Sequence, residues 1–183
     1  KVTKKNKYLK IVCWDRSDIT IGPTNKLKIT EARLYYPSLN KWNGQLVDAE
    51  LILRHSGGMG KSVYVCIPVK EGTTTGPSLN FFNALNNAIK VLVGENNGTM
   101  RTVELGAGFT LNNLIPKNSF YYATGEGINF GACDSETSDI IIFPSDLSLI
   151  MHTNVRNNLE NLLGEVAPAS SWRKIEGSES KRV

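Results

Sequence analysis

Two neighbouring apolar segments constrain the fold of this chain more than any other feature of its sequence. They run from Leu46 to Arg54 and from Ser62 to Lys70, and most of their residues are apolar. A strand that is apolar on both sides is typically buried on both faces of a sheet. Because only seven residues, 55–61, connect the two segments, we expect them to form a hairpin inside a large sheet.

Most of the remaining chain has the β-branched and aromatic residues, and the alternation, that are typical of strands. In residues 26–36 this alternation is broken once, near Glu31. Residues 37–45 are mostly polar and are predicted to form a loop. Further strands are predicted at residues 8–14, 19–21, 101–105, 120–123, 139–143 and 147–150.

Only two segments have apolar residues at helical spacing. The first is 79–93, where four apolar side chains share one face after a cap at Ser78. The second is 154–163, with Gly164 just beyond its end. The predicted fold is therefore mainly β (α+β). It is a single domain, residues 1–183, with one large, twisted and mostly antiparallel sheet and a few peripheral helices.

The composition excludes several classes of protein. The chain has 183 residues and a net charge of +4, which suits one globular domain and is too weak and dispersed for a nucleic-acid partner. No apolar run approaches the roughly 20 residues that cross a bilayer, so no membrane-spanning segment is predicted. Cys13, Cys66 and Cys133 include no Cys-x-x-Cys pair, which favours free thiols over a disulfide framework or a thiolate zinc site.

Local motifs do not identify an active site. The segment Gly57–Ser62 resembles part of a phosphate loop, but it joins two predicted strands and is therefore read as a hairpin turn. The only histidines, His55 and His152, are too few for a three-histidine zinc site and are predicted to be surface or turn residues. The single Asn-x-Thr sequon, at Asn97, matters only if the chain passes through a secretory lumen.

Four segments, taken together, resemble the α-class carbonic anhydrases. Leu114-Ile-Pro-Lys-Asn-Ser-Phe-Tyr-Tyr122 is similar to the family's Leu-Leu-Pro-Lys-Asn…Tyr-Tyr segment, and Ala49-Glu-Leu-Ile-Leu-Arg-His55 to its Ala-Glu-Leu-His-Leu-Val-His strand. Residues 125–143 resemble its Thr-Thr-Pro-Pro-Cys loop and the following strand, and Ser171-Trp-Arg173 its Asn-Trp-Arg. The segments keep the family's order, so the resemblance implies an α-carbonic-anhydrase-like domain that lacks the usual amino-terminal quarter.

The resemblance also implies that the zinc ligands of the family are replaced. The family holds zinc with a His-x-His pair on one strand and a third histidine on the next. Arg33 and Tyr35 stand in the places of the pair, and Ile52 stands in the place of the third. Glu50, which supports the site in the family, is kept, and Asn129 stands where a Thr orients the zinc-bound hydroxide.

Without zinc, the reaction of the family has no source of hydroxide at neutral pH. Zinc lowers the pKa of its bound water from about 15.7 to about 7. At about 1.36 kcal/mol per pKa unit, zinc therefore stabilises the bound hydroxide by about 12 kcal/mol. An Arg, a Tyr and an Ile cannot supply this stabilisation, and a cationic Arg repels a metal ion. The sequence therefore predicts no bound metal, no other cofactor, no catalytic residue and no enzyme activity.

Function is accordingly expected on the surface of the domain. The first hypothesis is a structural or binding component of a virus particle or other large assembly, with other protein subunits as partners. The family's poxvirus envelope member has a similar Ile-Asn loop, and the absent quarter would leave apolar surface and strand edges for a partner to cover. The second hypothesis is a cell-surface adhesion domain that binds sulfated glycosaminoglycans through Lys4, Lys5, Lys7 and Lys10. A residual lyase is the third. The expected location is a virion or other large assembly, with the cell surface or secretion as the alternative, while the composition itself favours no compartment strongly.

Overall fold

The computed structural model describes residues 1–12, 18–21, 25–56, 62–117, 120–126, 137–164 and 180–181. The described strands are β1 (Val2–Lys4), β2 (Tyr8–Ile11), β3 (Asp18–Ile21), β4 (Asn25–Tyr35), β5 (Lys41–Trp42), β6 (Gln45–Leu46), β7 (Ala49–Ser56), β8 (Ser62–Glu71), β9 (Met100–Arg101), β10 (Phe120–Glu126), β11 (Thr137–Ile142), β12 (Leu149–Met151) and β13 (Ser180–Lys181). The helices are α1 (Pro77–Leu92) and α2 (Thr153–Leu163), with short 3-10 helices at Leu111–Leu114 and Ser145–Leu147. Within these residues, no helix is both long and apolar enough to cross a membrane.

Eleven of the described strands form one sheet. Its order is β13-β10-β11-β8-β7-β4-β2-β1-β9, with β12 beside β8 and β3 beside β4. Neighbouring strands are antiparallel, except that β11 and β12 both run parallel to β8. The strands β5 and β6 form a separate small hairpin.

The two faces of this sheet have different environments. One face carries the main hydrophobic core, to which the central strands contribute residues such as Leu34, Leu51 and Val65, and against which both helices pack. The other face carries a smaller cluster around Ile52 and Cys66. Because β7 and β8 supply residues to both clusters, they are apolar on both faces, as their sequences predict.

The helix α1 packs its apolar face, including Phe82 and Leu85, against the main core. Pro77 occupies the start of the helix, where a backbone N–H would have no helical partner. Ser78 is therefore not the cap that the sequence predicts. Its Oγ instead accepts a hydrogen bond from the backbone N–H of Ile150 at 3.3 Å, which ties α1 to β12.

The helix α2 ends where the sequence predicts. Gly164 has a φ of 70°, a left-handed conformation that glycine adopts without steric strain. Its N–H donates to the carbonyl oxygen of Glu160 at 2.8 Å and closes the last turn. The helix packs against α1, where the Asn158 Nδ2 donates to the Asn86 Oδ1 at 2.8 Å.

The structure confirms the predicted fold class and the irregularity in residues 26–36. That irregularity is a bulge between Ile29 and Glu31, where the pairing of β4 with β7 shifts. Several short elements were not predicted. They are β1, which pairs with β2 and β9, the β5–β6 hairpin within the segment predicted as a loop, β13, and the two 3-10 helices.

Several predicted strands have different bounds in the structure. The segment predicted as one strand over 46–54 is divided between β6 and β7, and β7 continues to Ser56. The prediction of a strand over 101–105 is wrong, because only Met100–Arg101 pairs with β1. Val103 and Leu105 pack against the main core while their backbone lies outside the sheet. The strand predicted at 147–150 begins at Leu149, directly after a 3-10 helix.

Candidate functional site

A row of paired residues crosses the second face of the sheet. Residues that pair directly on neighbouring strands project to the same face. In order from the edge to the centre, the row consists of Met100, Thr3, Lys10, Arg33, Ile52 and Cys66. The face therefore changes from polar and charged residues on β1, β2 and β4 to apolar residues on β7 and β8.

Arg33, Tyr35, Glu50 and Ile52 form a compact group within this face, which we call the β4–β7 group. Arg33 pairs with Ile52, and Tyr35 pairs with Glu50. Residues two apart on a strand share a face, and paired Cα atoms lie about 4.5–5.5 Å apart. The structure thus brings together four of the residues that the resemblance associates with the zinc site. The fifth, Asn129, lies outside the described residues.

The charge of Arg33 is balanced within the protein. Its Nε donates to the Glu31 Oε1, and the Lys10 Nζ lies 3.1 Å from the Glu31 Oε2. The guanidinium also lies 4.6 Å from the centroid of the Tyr8 ring, which is a cation–π contact. Burial acts to raise the pKa of Glu31, but the hydrogen bonds from Arg33 and Lys10 outweigh it and lower that pKa.

Tyr35 is a neutral member of the β4–β7 group. Its ring centroid lies 5.3 Å from that of Tyr8, in a tilted arrangement. Burial raises the pKa of Tyr35 to about 12, although hydrogen bonding to Arg33 acts in the opposite direction. The phenol therefore keeps its proton at physiological pH.

Ile52 belongs to a closed apolar cluster. Its other buried members are Tyr64, Cys66, Ile140 and Ile142. Leu39 and Trp42, from the segment between β4 and β6, pack against the cluster. The Trp42 Nε1 donates to the carbonyl oxygen of Phe143 at 2.9 Å, which holds this covering segment against the end of β11.

Glu50 joins the apolar cluster to the segment that covers it. Its Oε2 accepts hydrogen bonds from the backbone N–H groups of Leu39 at 2.9 Å and Asn40 at 2.8 Å. Its Oε1 accepts one from the Asn40 Nδ2. Burial raises the pKa of Glu50 to about 7, although these donors and the Cys66 thiol favour the carboxylate. Burial and the neighbouring Glu50 also raise the pKa of the Cys66 thiol.

The four lysines predicted to contact glycans do not form one surface. The Lys4 Nζ donates to the carbonyl oxygen of Glu95 at 2.7 Å, and Lys4 pairs with Leu9, which belongs to the main core. Lys5 and Lys7 lie in the turn between β1 and β2, where Lys7 is exposed. Lys10 lies on the opposite face from Lys4, in the row that contains Arg33.

The structure corrects the predicted position of His55. This residue is not at the surface or in a turn but within β7, where its exposed fraction is 0%. Burial lowers the pKa of His55 to about 4, although the backbone of Leu53 acts in the opposite direction. His152 is the half-buried residue that precedes α2. In the described part of the chain, no three His, Cys, Asp or Glu side chains are grouped as a metal site.

Sequence reasoning missed three contacts around the β4–β7 group. One of them, between Glu31 and Arg33, had a usable signal, because residues two apart on a strand share a face. The contact of Tyr8 with Arg33 depends on the register of β2 against β4. The hydrogen bond from Trp42 spans 101 residues of sequence, and no local pattern indicates it.

Comparison with solved structures identifies the fold. The α-carbonic anhydrase from Thermovibrio ammonificans, in complex with sulfanilamide, has a TM-score of 0.73 at 15% identity, over 98% of this chain and 73% of the other. The fungal α-carbonic anhydrase from Aspergillus oryzae has a TM-score of 0.71 at 12% identity, over 98% and 71%. Dioscorin, in complex with ascorbate, has a TM-score of 0.70 at 14% identity, over 90% and 64%.

The described chain therefore has the α-carbonic anhydrase fold, which its sequence motifs imply. It spans 64–73% of the length of these three proteins. The sequence matches no protein-family model and no curated protein.

Proposed function

We propose that this chain is a non-catalytic carbonic-anhydrase-like domain that serves as a structural or binding component of a virus particle or other large assembly. The proposal rests on the chemistry of the β4–β7 group. Arg33, Tyr35 and Ile52 are the positions that the resemblance assigns to the zinc ligands. Their pairing on adjacent strands brings them close enough to have surrounded one ion, so the identity of their side chains decides whether metal can bind.

None of these three side chains provides a ligand for Zn²⁺. Zinc in proteins is bound by Cys sulfur, His nitrogen or carboxylate oxygen. The guanidinium of Arg33 has no free acceptor and carries a positive charge. Ile52 is an alkyl group, and Tyr35, whose pKa is about 12, holds its phenolic proton. The residues present do not fit zinc, and no step of carbonic anhydrase chemistry is assigned to them.

The same residues form a stabilising unit. A buried charge is costly unless a partner compensates it, and Glu31 and the Tyr8 ring compensate Arg33. Ile52 is sealed in an apolar cluster beneath Leu39 and Trp42. With its charge compensated and its apolar cluster covered, this face of the sheet stabilises the fold. The function of such a domain then resides on its outer surface.

We expect the purified chain to leave the rate of CO₂ hydration unchanged. The stopped-flow rate with added Zn²⁺ should equal the rate in buffer at every protein concentration, because Arg33, Tyr35 and Ile52 supply no ligand for a metal ion. An acceleration that rises in proportion to the chain and is abolished by a sulfonamide inhibitor would contradict the proposal.

A sulfated glycan is the second candidate ligand, and Lys5 and Lys7 in the β1–β2 turn favour it. Changing these two lysines together to Ala is expected to weaken heparin binding. At about 1 kcal/mol for each lysine near an anionic surface, the loss would be about thirtyfold, measured by salt elution and calorimetry. The matched control changes Lys4 and Lys10 together to Ala, because Lys4 already donates to the carbonyl oxygen of Glu95 and Lys10 already pairs with Glu31. Equal heparin binding by the Lys5 and Lys7 variant and the wild type would exclude these two lysines as the glycan site.

A further inference from the structure

The segment that follows α1 contains an acceptor pattern for N-linked glycans. Asn97-Gly98-Thr99 has the form Asn-x-Thr with a middle residue other than Pro, which is the recognition sequence for glycan transfer. None of the other 17 asparagines of the chain is followed by this pattern. The sequence match concerns transfer alone, and the position of the side chain in the folded chain decides whether the domain has room for the glycan and where the glycan lies.

Asn97 lies in an exposed turn. The N–H of Thr99 donates to the carbonyl oxygen of Asn96 at 3.2 Å, which closes the turn. Gly98 has a φ of 96°, a left-handed conformation that favours glycine. The folded chain therefore presents the Asn97 side chain at the surface, in a turn.

The surroundings of Asn97 fix where such a glycan would lie. The N–H of Gly98 donates to the carbonyl oxygen of Lys4 at 2.8 Å, and the Asn97 Nδ2 donates to the Asn6 Oδ1. The acceptor is thus beside the β1–β2 turn and the edge strand β9. The amide nitrogen of a glycosylated Asn keeps one N–H, so its contact with Asn6 can persist after transfer.

We propose that Asn97 is an acceptor site for an N-linked glycan that shields the β1–β2 turn and the β9 edge of the sheet. In the transfer, the Asn97 Nδ2 bonds to the anomeric carbon of an oligosaccharide carried on a polyprenyl pyrophosphate. The bond from that carbon to the pyrophosphate oxygen breaks, and the lipid pyrophosphate leaves as the amide loses a proton. The modification goes beyond the proposed scaffold function, because it determines which face of the domain is open to partners.

The test is cell-free translation of the full chain behind a cleavable secretory signal, with endoplasmic reticulum microsomes present. We expect one glycan per chain, removed by peptide N-glycosidase, absent from Asn97→Gln and Thr99→Ala, and kept in Thr99→Ser. Glycan transfer occurs during translocation, so the result does not depend on the folding of each variant.

The chain offers a matched positive control. Asn43 and Gly44 form a second exposed Asn-Gly turn, with φ values of 51° and 78°, but Gln45 follows them. The variant Gln45→Thr is expected to carry two glycans. A Gln45→Thr chain that is modified only at Asn43, or a glycan that persists in Asn97→Gln, would overturn the proposal.

Discussion

Changing Arg33, Tyr35 and Ile52 together to His is expected to create a zinc site at a place where we propose that the wild-type chain binds no metal. Arg33 and Ile52 pair directly, and Tyr35 is two residues from Arg33 on the same strand, so three imidazoles would project from one small area of the sheet. Three His ligands with one open position are a stable arrangement for Zn²⁺. We expect zinc affinity to rise by about 4 kcal/mol or more, which is about a thousandfold, measured by calorimetric titration.

The double variant that retains Ile52 is the control for this experiment. With only two imidazoles, both on β4, it should bind zinc far more weakly than the triple variant. Removing Arg33 also takes one cationic partner from Glu31, which keeps its ion pair with Lys10, and this change is common to both variants. If the triple variant binds zinc no better than the double variant, the three positions do not surround one ion, and the assignment of the β4–β7 group as a former metal site is wrong.

The free energy of unfolding is expected to depend on pH through two buried groups that act in opposite directions. Glu50 has a folded pKa of about 7, above the ordinary value of 4.5, so its contribution is fully present below pH 4.5 and is lost as the pH rises through 7. His55 has a folded pKa of about 4, below the ordinary 6.5, so its contribution is present above pH 6.5 and is lost as the pH falls through 4. Each amounts to about 3 kcal/mol.

Single variants should separate these two effects. Between pH 4.5 and 6.5 the two contributions offset each other, so the free energy of unfolding should vary less with pH in the wild-type chain than in either variant. In Glu50→Gln the unfolding free energy should rise by about 3 kcal/mol from pH 4 to 6.5, and in His55→Gln it should fall by about 3 kcal/mol from pH 4.5 to 7. Urea unfolding followed by circular dichroism measures both profiles.

Other titrating groups are common to the three chains, so the differences between the profiles isolate Glu50 and His55. Parallel profiles for the wild type and both variants would mean that neither group is titrated differently in the folded and unfolded chain. That result would contradict the burial of Glu50 beneath Leu39 and Asn40 and of His55 within β7.

The parts of the fold that could be predicted are those that local pattern determines. The segments 49–54 and 62–70 are apolar on both sides because both faces of β7 and β8 are buried. Helical spacing identified α1 and α2 to within a few residues. The prediction of a strand at 101–105 was wrong because alternation indicates only which side chains face the core, as those of Val103 and Leu105 do. It does not indicate whether the backbone pairs with another strand.

The candidate site could be predicted only in part. The resemblance identified Arg33, Tyr35, Glu50 and Ile52, but their mutual contacts follow from the register of β4 against β7, which no local pattern specifies. His55 was misplaced for the same reason. A polar residue beside a glycine-rich segment is typical of a turn, and only the neighbouring strands, with partners such as Val63, show that it is buried.

Calorimetric titration of the purified wild-type chain with Zn²⁺ tests the central claim most directly. The account predicts no saturable binding, and no more metal on the dialysed protein than on a control protein of similar size, because Arg33, Tyr35 and Ile52 supply no ligand. Binding of one Zn²⁺ per chain that a chelator removes, and that the change Arg33→Ala or Tyr35→Phe weakens, would contradict it.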